Sequence, residues 1–172
     1  MNEQLKKIFK LIEGKIVIFG INLDKYTKII ETNHKITSLD VLENISTKKN
    51  KKHGKQRQIL IKNLRKKYKK SKIDVIICNV DEVKKHLIYL IKETIYIGKK
   101  DVYLYGSKEL VNDTLDKYKR YNISYKVLEF DKKTIIKIDI SNVKTNKIRD
   151  NFYLIKDKLT NVLNIVTDIL TS

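Results

Sequence analysis

Ile123 to Phe130 reads ISYKVLEF and Thr134 to Ile140 reads TIIKIDI, with only Asp131-Lys132-Lys133 between them. Both runs are rich in β-branched and aromatic residues, which predicts strands. Three polar residues cannot hold a crossover helix, so these strands pair antiparallel as a hairpin. Upstream the pattern differs. Lys15 to Gly20 (KIVIFG), Ile73 to Val80 (IDVIICNV) and Asp101 to Tyr105 (DVYLY) are apolar runs of the kind buried on both faces of a sheet. Lys35 to Leu42 (KITSLDVL) reads as a further strand.

Helical spacing fills the gaps between these strands. Leu5, Ile8, Phe9 and Ile12 mark a helix over Asn2 to Glu13, which Gly14 ends. Asp24 to Glu31 is a short helix. From Gln56, Leu60, Ile61, Leu64 and Tyr68 form one stripe. Val83 to Ile97 turns Leu87, Leu90, Ile91 and Ile95 inward, and Gly106-Ser107 leads into a helix from Lys108 to Tyr121. Asn44 to Lys55 (NISTKKNKKHGK) has no pattern and reads as a loop. Strands alternating with helices predict an α/β fold of three layers, αβα, with a mostly parallel sheet and right-handed crossovers. Residues 1–143 make up this domain, and 144–172 an appended helix.

A parallel sheet that ends on an antiparallel hairpin resembles the Rossmann-like fold of the class I S-adenosylmethionine-dependent methyltransferases. The likeness covers Lys15 to Ile140 and rests on element order, with one strand and its helix missing or replaced by a basic segment. It implies S-adenosylmethionine as the cofactor and methyl transfer as the activity. The alternative is a binding or scaffolding protein that keeps the frame without catalysis, because a fold does not fix a function.

Ligands of open α/β sheets bind beyond the carboxyl ends of the strands. Here those ends offer Gly20 and Asn22 (FGINLD), Asp40, and Asn79 (NVDE) as candidate cofactor contacts. Gly20 stands where the methyltransferases carry several glycines; alone it also reads as a turn residue. Asp40 is placed to accept hydrogen bonds from a ribose, or to cap a turn. Asn79 is similar to the first residue of the methyltransferase motif that continues with two prolines and an aromatic, absent here. Asn79 or Asp81 also suits the cap of the helix that follows. Cys78 reads as a small buried hydrophobe, and His34, His53 and His86 have no metal spacing, so no metal site is expected.

Charge points to the partner. Lys48 to Lys72 holds thirteen Lys or Arg and no Asp or Glu, within a chain of formal charge +18. A cationic block of this density attracts a polyanion, and RNA or DNA is the expected partner, contacted at its phosphates. The candidate contacts are Lys48, Lys49, Lys51, Lys52, Lys55, Arg57, Arg65, Lys66 and Lys69. A single cysteine suggests a reducing, cytoplasmic setting. The first residues make a poor signal peptide, and no run of about 18 apolar residues predicts a transmembrane helix.

Lys144 to Leu170 reads as one long helix. Ile148, Phe152, Ile155, Leu159, Val162, Val166 and Ile169 recur at alternating spacings of four and three, and Leu163, Ile165 and Leu170 widen the stripe. Docking of this stripe on the chain's own domain is expected, with self-association as the alternative and adsorption to a membrane surface third.

Overall fold

The computed structural model describes residues 3–42, 45–46, 59–130, 133–144 and 146–171. Its strands are β1 (Gly14–Phe19), β2 (Ile36–Leu42), β3 (Ile45–Ser46), β4 (Ile59–Leu60), β5 (Ile73–Asn79), β6 (Gly98–Gly106), β7 (Ser124–Phe130) and β8 (Lys133–Asp139). Its helices are α1 (Glu3–Leu11), α2 (Thr27–Glu31), α3 (Ile61–Lys67), α4 (Val80–Val83), α5 (Leu87–Ile97), α6 (Lys108–Lys119) and α7 (Lys147–Thr171). Six strands form one sheet in the order β2-β1-β5-β6-β8-β7. The first four are parallel. β8 runs against both β6 and β7, so the predicted hairpin closes the sheet with β8 inserted as the inner strand.

Alternation along β1 explains the three layers. Ile16 and Ile18 point to one face, where Leu5, Ile8 and Phe9 of α1 and Tyr26 beside α2 cover them. Val17 and Phe19 point to the other, into a larger core with Leu64 of α3, Leu90 of α5 and Val111 and Leu115 of α6. Each central strand is sealed on both sides, and Val17, Ile18, Phe19, Ile76 and Ile77 have no exposed surface. Asn33 then ties α1 down. Its amide donates to the carbonyls of Phe9 (2.8 Å) and Ile12 (2.9 Å), which the helix end leaves without partners. Cys78 lies on β5 beneath the helices, fully inside.

Three expectations change. The helix expected over Val83 to Ile97 starts at Val80 and breaks into a 3₁₀ turn at Lys84–His86. The stripe expected from Gln56 begins instead as the two-residue strand β4, which pairs parallel with β3. Only Leu64 and Tyr68 of that stripe are described as core residues. Most of the loop Asn44 to Lys55 lies outside the described residues.

The third change concerns α7. Its first half docks through polar groups. Asp157 pairs with Arg120 (2.5 Å), Asn151 accepts from Lys92 (2.6 Å), and the Tyr153 ring meets Tyr121 edge-on at 5.6 Å. Asp150 and Asp157 are the buried residues here, while Phe152, Ile155, Leu159 and Val162 are about 60% exposed. The apolar stripe therefore faces away from the domain. A period reveals that a stripe exists; Arg120 and Lys92, which decide where it points, lie far off in sequence.

Candidate functional site at the carboxyl ends of the strands

Beyond β1, β5 and β6 lies an open cleft of about 700 Å³. The segment after β1 forms one wall with Gly20, Ile21, Asn22, Asp24, Lys25 and Tyr26. Asn79 and Glu82, where β5 passes into α4, form another, and Leu5 and Tyr105 complete it. Gly20 turns the chain with φ +67°, a left-handed conformation that glycine adopts without cost. Asn22 shapes the next turn, its side-chain oxygen accepting the Asp24 amide at 2.8 Å.

Asn79 carries the unusual chemistry. It stands at the N-cap position of α4 but makes no capping bond. Its Oδ1 is buried and has no hydrogen-bond partner. An orphaned buried acceptor is costly and calls for an explanation, such as a ligand that donates to it. Asp24 and Glu82 add two exposed carboxylates to the same cleft, against one ammonium, that of Lys25.

Asp81 does not cap α4 either. It accepts the Ser107 amide (3.0 Å) and hydroxyl (2.6 Å) at the start of α6, and pairs with Lys133 of β8. Burial opposes ionisation of Asp81, but the bonds from Lys133 and Ser107 outweigh it and hold the carboxyl below its ordinary value. This knot joins α4, the start of α6 and the hairpin beside the site.

Of the sequence candidates, Gly20, Asn22 and Asn79 line the cleft and Asp40 does not. β2 continues two residues past Asp40, which lies in register with Val17 inside the strand. Its carboxylate accepts the Tyr68 hydroxyl at 2.8 Å and pairs with Lys67 at 3.3 Å. Burial, and then the bond to and charge of Asp40, push the Tyr68 hydroxyl far above its usual range. Asp40 thus fastens α3 to the sheet edge.

The basic block divides as well. Arg65 is a structural residue rather than a free phosphate contact. Its Nε reaches both oxygens of Glu93 (2.9 and 3.0 Å), and its guanidinium stacks over Tyr96 at 4.2 Å. Lys66 and Lys69 are exposed. Lys48, Lys49, Lys51, Lys52, Lys55 and Arg57 lie outside the described residues. The block lacks acids in sequence, yet Asp40 and Glu93 reach Lys67 and Arg65 from other elements. Asp24 and Glu82 are not among the sequence candidates, although Asp24 lies in the same FGINLD stretch as Gly20 and Asn22.

The order β2-β1-β5-β6-β8-β7, with β8 alone reversed and the site at the carboxyl ends, decides the architecture. The fold is that of the class I methyltransferases. A candidate type 11 methyltransferase from Sulfolobus solfataricus superposes with a TM-score of 0.51 and 17% identity, over 84% of this chain and 92% of that one. A candidate tRNA (m1A22) methyltransferase from Streptococcus pneumoniae follows at 0.44 and 10% identity, over 93% and 79%. No protein-family model and no curated protein matches the sequence. Among the described residues no strand lies beyond β2 in the six-stranded sheet, and β3 and β4 pair with each other before α3. Among the described residues no cluster of metal ligands occurs, and no helix is long and apolar enough to cross a membrane.

Proposed function

We propose that the cleft binds S-adenosylmethionine and that the basic segment brings a nucleic acid to it. The observation that carries this reading is the unpartnered Asn79 Oδ1 in a cleft that also holds the Asp24 and Glu82 carboxylates. Three acceptors favour a ligand bearing positive charge and N–H donors, and S-adenosylmethionine has a sulfonium, an ammonium and an adenine amine. Phosphate-bearing dinucleotides suit the cleft less. They require a glycine-rich backbone cradle, and Gly20 stands alone among acids. When bound, the sulfonium supplies an electrophilic methyl group. The chain's part is to accept the ligand's N–H groups at Asn79, to balance its charge with Asp24 and Glu82, and to shelter its apolar parts against Tyr105 and Leu5.

One observation favours the non-catalytic alternative. A Cβ at Gly20 would lie 2.8 Å from the Glu82 Cβ, so the open side of this glycine is already filled by α4. Calorimetry and thermal shift with S-adenosylmethionine, its demethylated product and ADP separate the readings. The first two should bind and stabilise the protein, by about 2.7 kcal/mol at a hundredfold excess over Kd, and ADP should not. Asn79→Ala should weaken binding about fivefold while leaving the free protein as stable or more so, since it deletes a buried group that has no partner. Absence of heat and of stabilisation at millimolar ligand would eliminate the cofactor reading.

The nucleic-acid arm has its own measurement. Six neutralised phosphates give a slope near about −5 for log K against log salt on duplex DNA. A flat line overturns it.

A further inference from the structure

Eight of the twelve large exposed apolar side chains among the described residues sit on α7. Such concentration marks an interaction surface, whereas single exposed residues need no explanation. The residues at 152, 159 and 166 (Phe, Leu, Val) alternate with those at 155, 162 and 169 (Ile, Val, Ile) in steps of three and four. These are the a and d positions of a heptad, a period that keeps a seam facing another helix wound around it.

We propose that α7 joins copies of this chain, its seam packing against the same seam of further copies in a helical bundle. Four observations single out a second copy as the occupant. The domain grips α7 through Asp150, Tyr153 and Asp157, on the side opposite the seam, so the globular bodies stay outside the bundle. Phe152, Leu159 and Val166 at a with the β-branched Ile155, Val162 and Ile169 at d make a seam core with no polar residue, the kind that helices of coiled coils bury against one another. Leu163 and Ile165 flank the seam, 66% and 58% exposed, and give the wider band that such a bundle buries. Flanking charge does not oppose self-pairing. In parallel strands Lys158 falls beside Leu163, and in centred antiparallel strands Lys156 does, so no ammonium meets another. Lys158 moreover leans back over the Tyr89 ring at 4.9 Å.

The area is sufficient. Eight side chains, seven of them more than half exposed, present on the order of 800 Å² per chain, the share of a standard stable interface. An anionic membrane fits less well. From Leu159 to Thr171 the helix has no Lys or Arg, and its polar side shows Thr160, Asn161, Asn164 and Thr167. Interfacial helices line that side with cations.

Sedimentation velocity of the full chain from about 1 to about 100 μM is the test, since association follows mass action. The expected species has an integer multiple of the 20.3 kDa chain mass. It strengthens with added salt, which screens the repulsion between chains of charge +18. Leu159→Gln with Val162→Gln should raise the dissociation constant on the order of a hundredfold. Circular dichroism of that variant should be unchanged, because both side chains point away from the domain. A wild-type chain that stays at 20.3 kDa throughout overturns the proposal. So does an assembly that survives both substitutions, or a monomer that sediments with vesicles of phosphatidylcholine and phosphatidylglycerol.

Discussion

Arg65→Ala should destabilise the fold by about 3 kcal/mol, read as a fall in the urea midpoint at constant m. The substitution leaves Glu93, 6% exposed, with an ionised carboxylate that has lost its bidentate partner and keeps only the weaker pull of Lys92. Burial already pushes the Glu93 carboxyl up, and Arg65 draws it back. Without the guanidinium the folded-state value rises further above that of the unfolded chain. The folded protein then favours the protonated form, so the loss of stability is small at acid pH and grows as pH climbs past the unfolded value. A deficit that does not change with pH, or one below about 1 kcal/mol, would show that water serves Glu93 as well as Arg65 does. The double variant Arg65→Met, Glu93→Leu should recover most of the loss, because an apolar pair of similar volume needs no desolvation. Arg65→Lys should not, since an ammonium cannot span both oxygens or stack on Tyr96.

Phe9→Ala should cost more, about 3–5 kcal/mol. Phe9 has no exposed surface, and its ring lies 5.0 Å from that of Tyr26. α1 is the main cover for its face of the sheet, so the cavity would open directly beside β1. The effect should also reach the cleft, because Tyr26 is one of its walls. Ligand affinity and stability should therefore fall together in this variant, whereas in Asn79→Ala only affinity falls. Leu11→Ala, on the same helix but 76% exposed, is the control and should change neither. A Phe9→Ala protein with native stability would mean that α1 does not seal the sheet.

Much of this fold was legible because its central strands are short, continuous apolar runs. IVIF and VIIC could only be buried on both sides, and the three-residue link before Thr134 left no room for a crossover. What stayed illegible depends on partners distant in sequence. Asp40 read as a ribose contact or the cap of a turn, yet Tyr68 and Lys67, 28 and 27 positions away, hold it inside the strand edge. Arg65 read as part of a free cationic patch, and Glu93 claimed it. At the cleft, Gly20, Asn22 and Asn79 were found because the carboxyl ends of strands are fixed by topology. Glu82 was missed because it depends on where α4 begins, and the periodicity placed that start three residues late. The seam of α7 was visible in full, but its direction was set by Asp157 meeting Arg120.

Cys78 lies under the helices that cover β5, and burial pushes its thiol up to about 12. At neutral pH it is neither ionised nor within reach of a reagent. The chain's single sulfhydryl thus serves as a built-in timer. An aromatic disulfide added to the native protein can react only as fast as the centre of the sheet comes apart, so the colour it releases counts opening events without any engineered label.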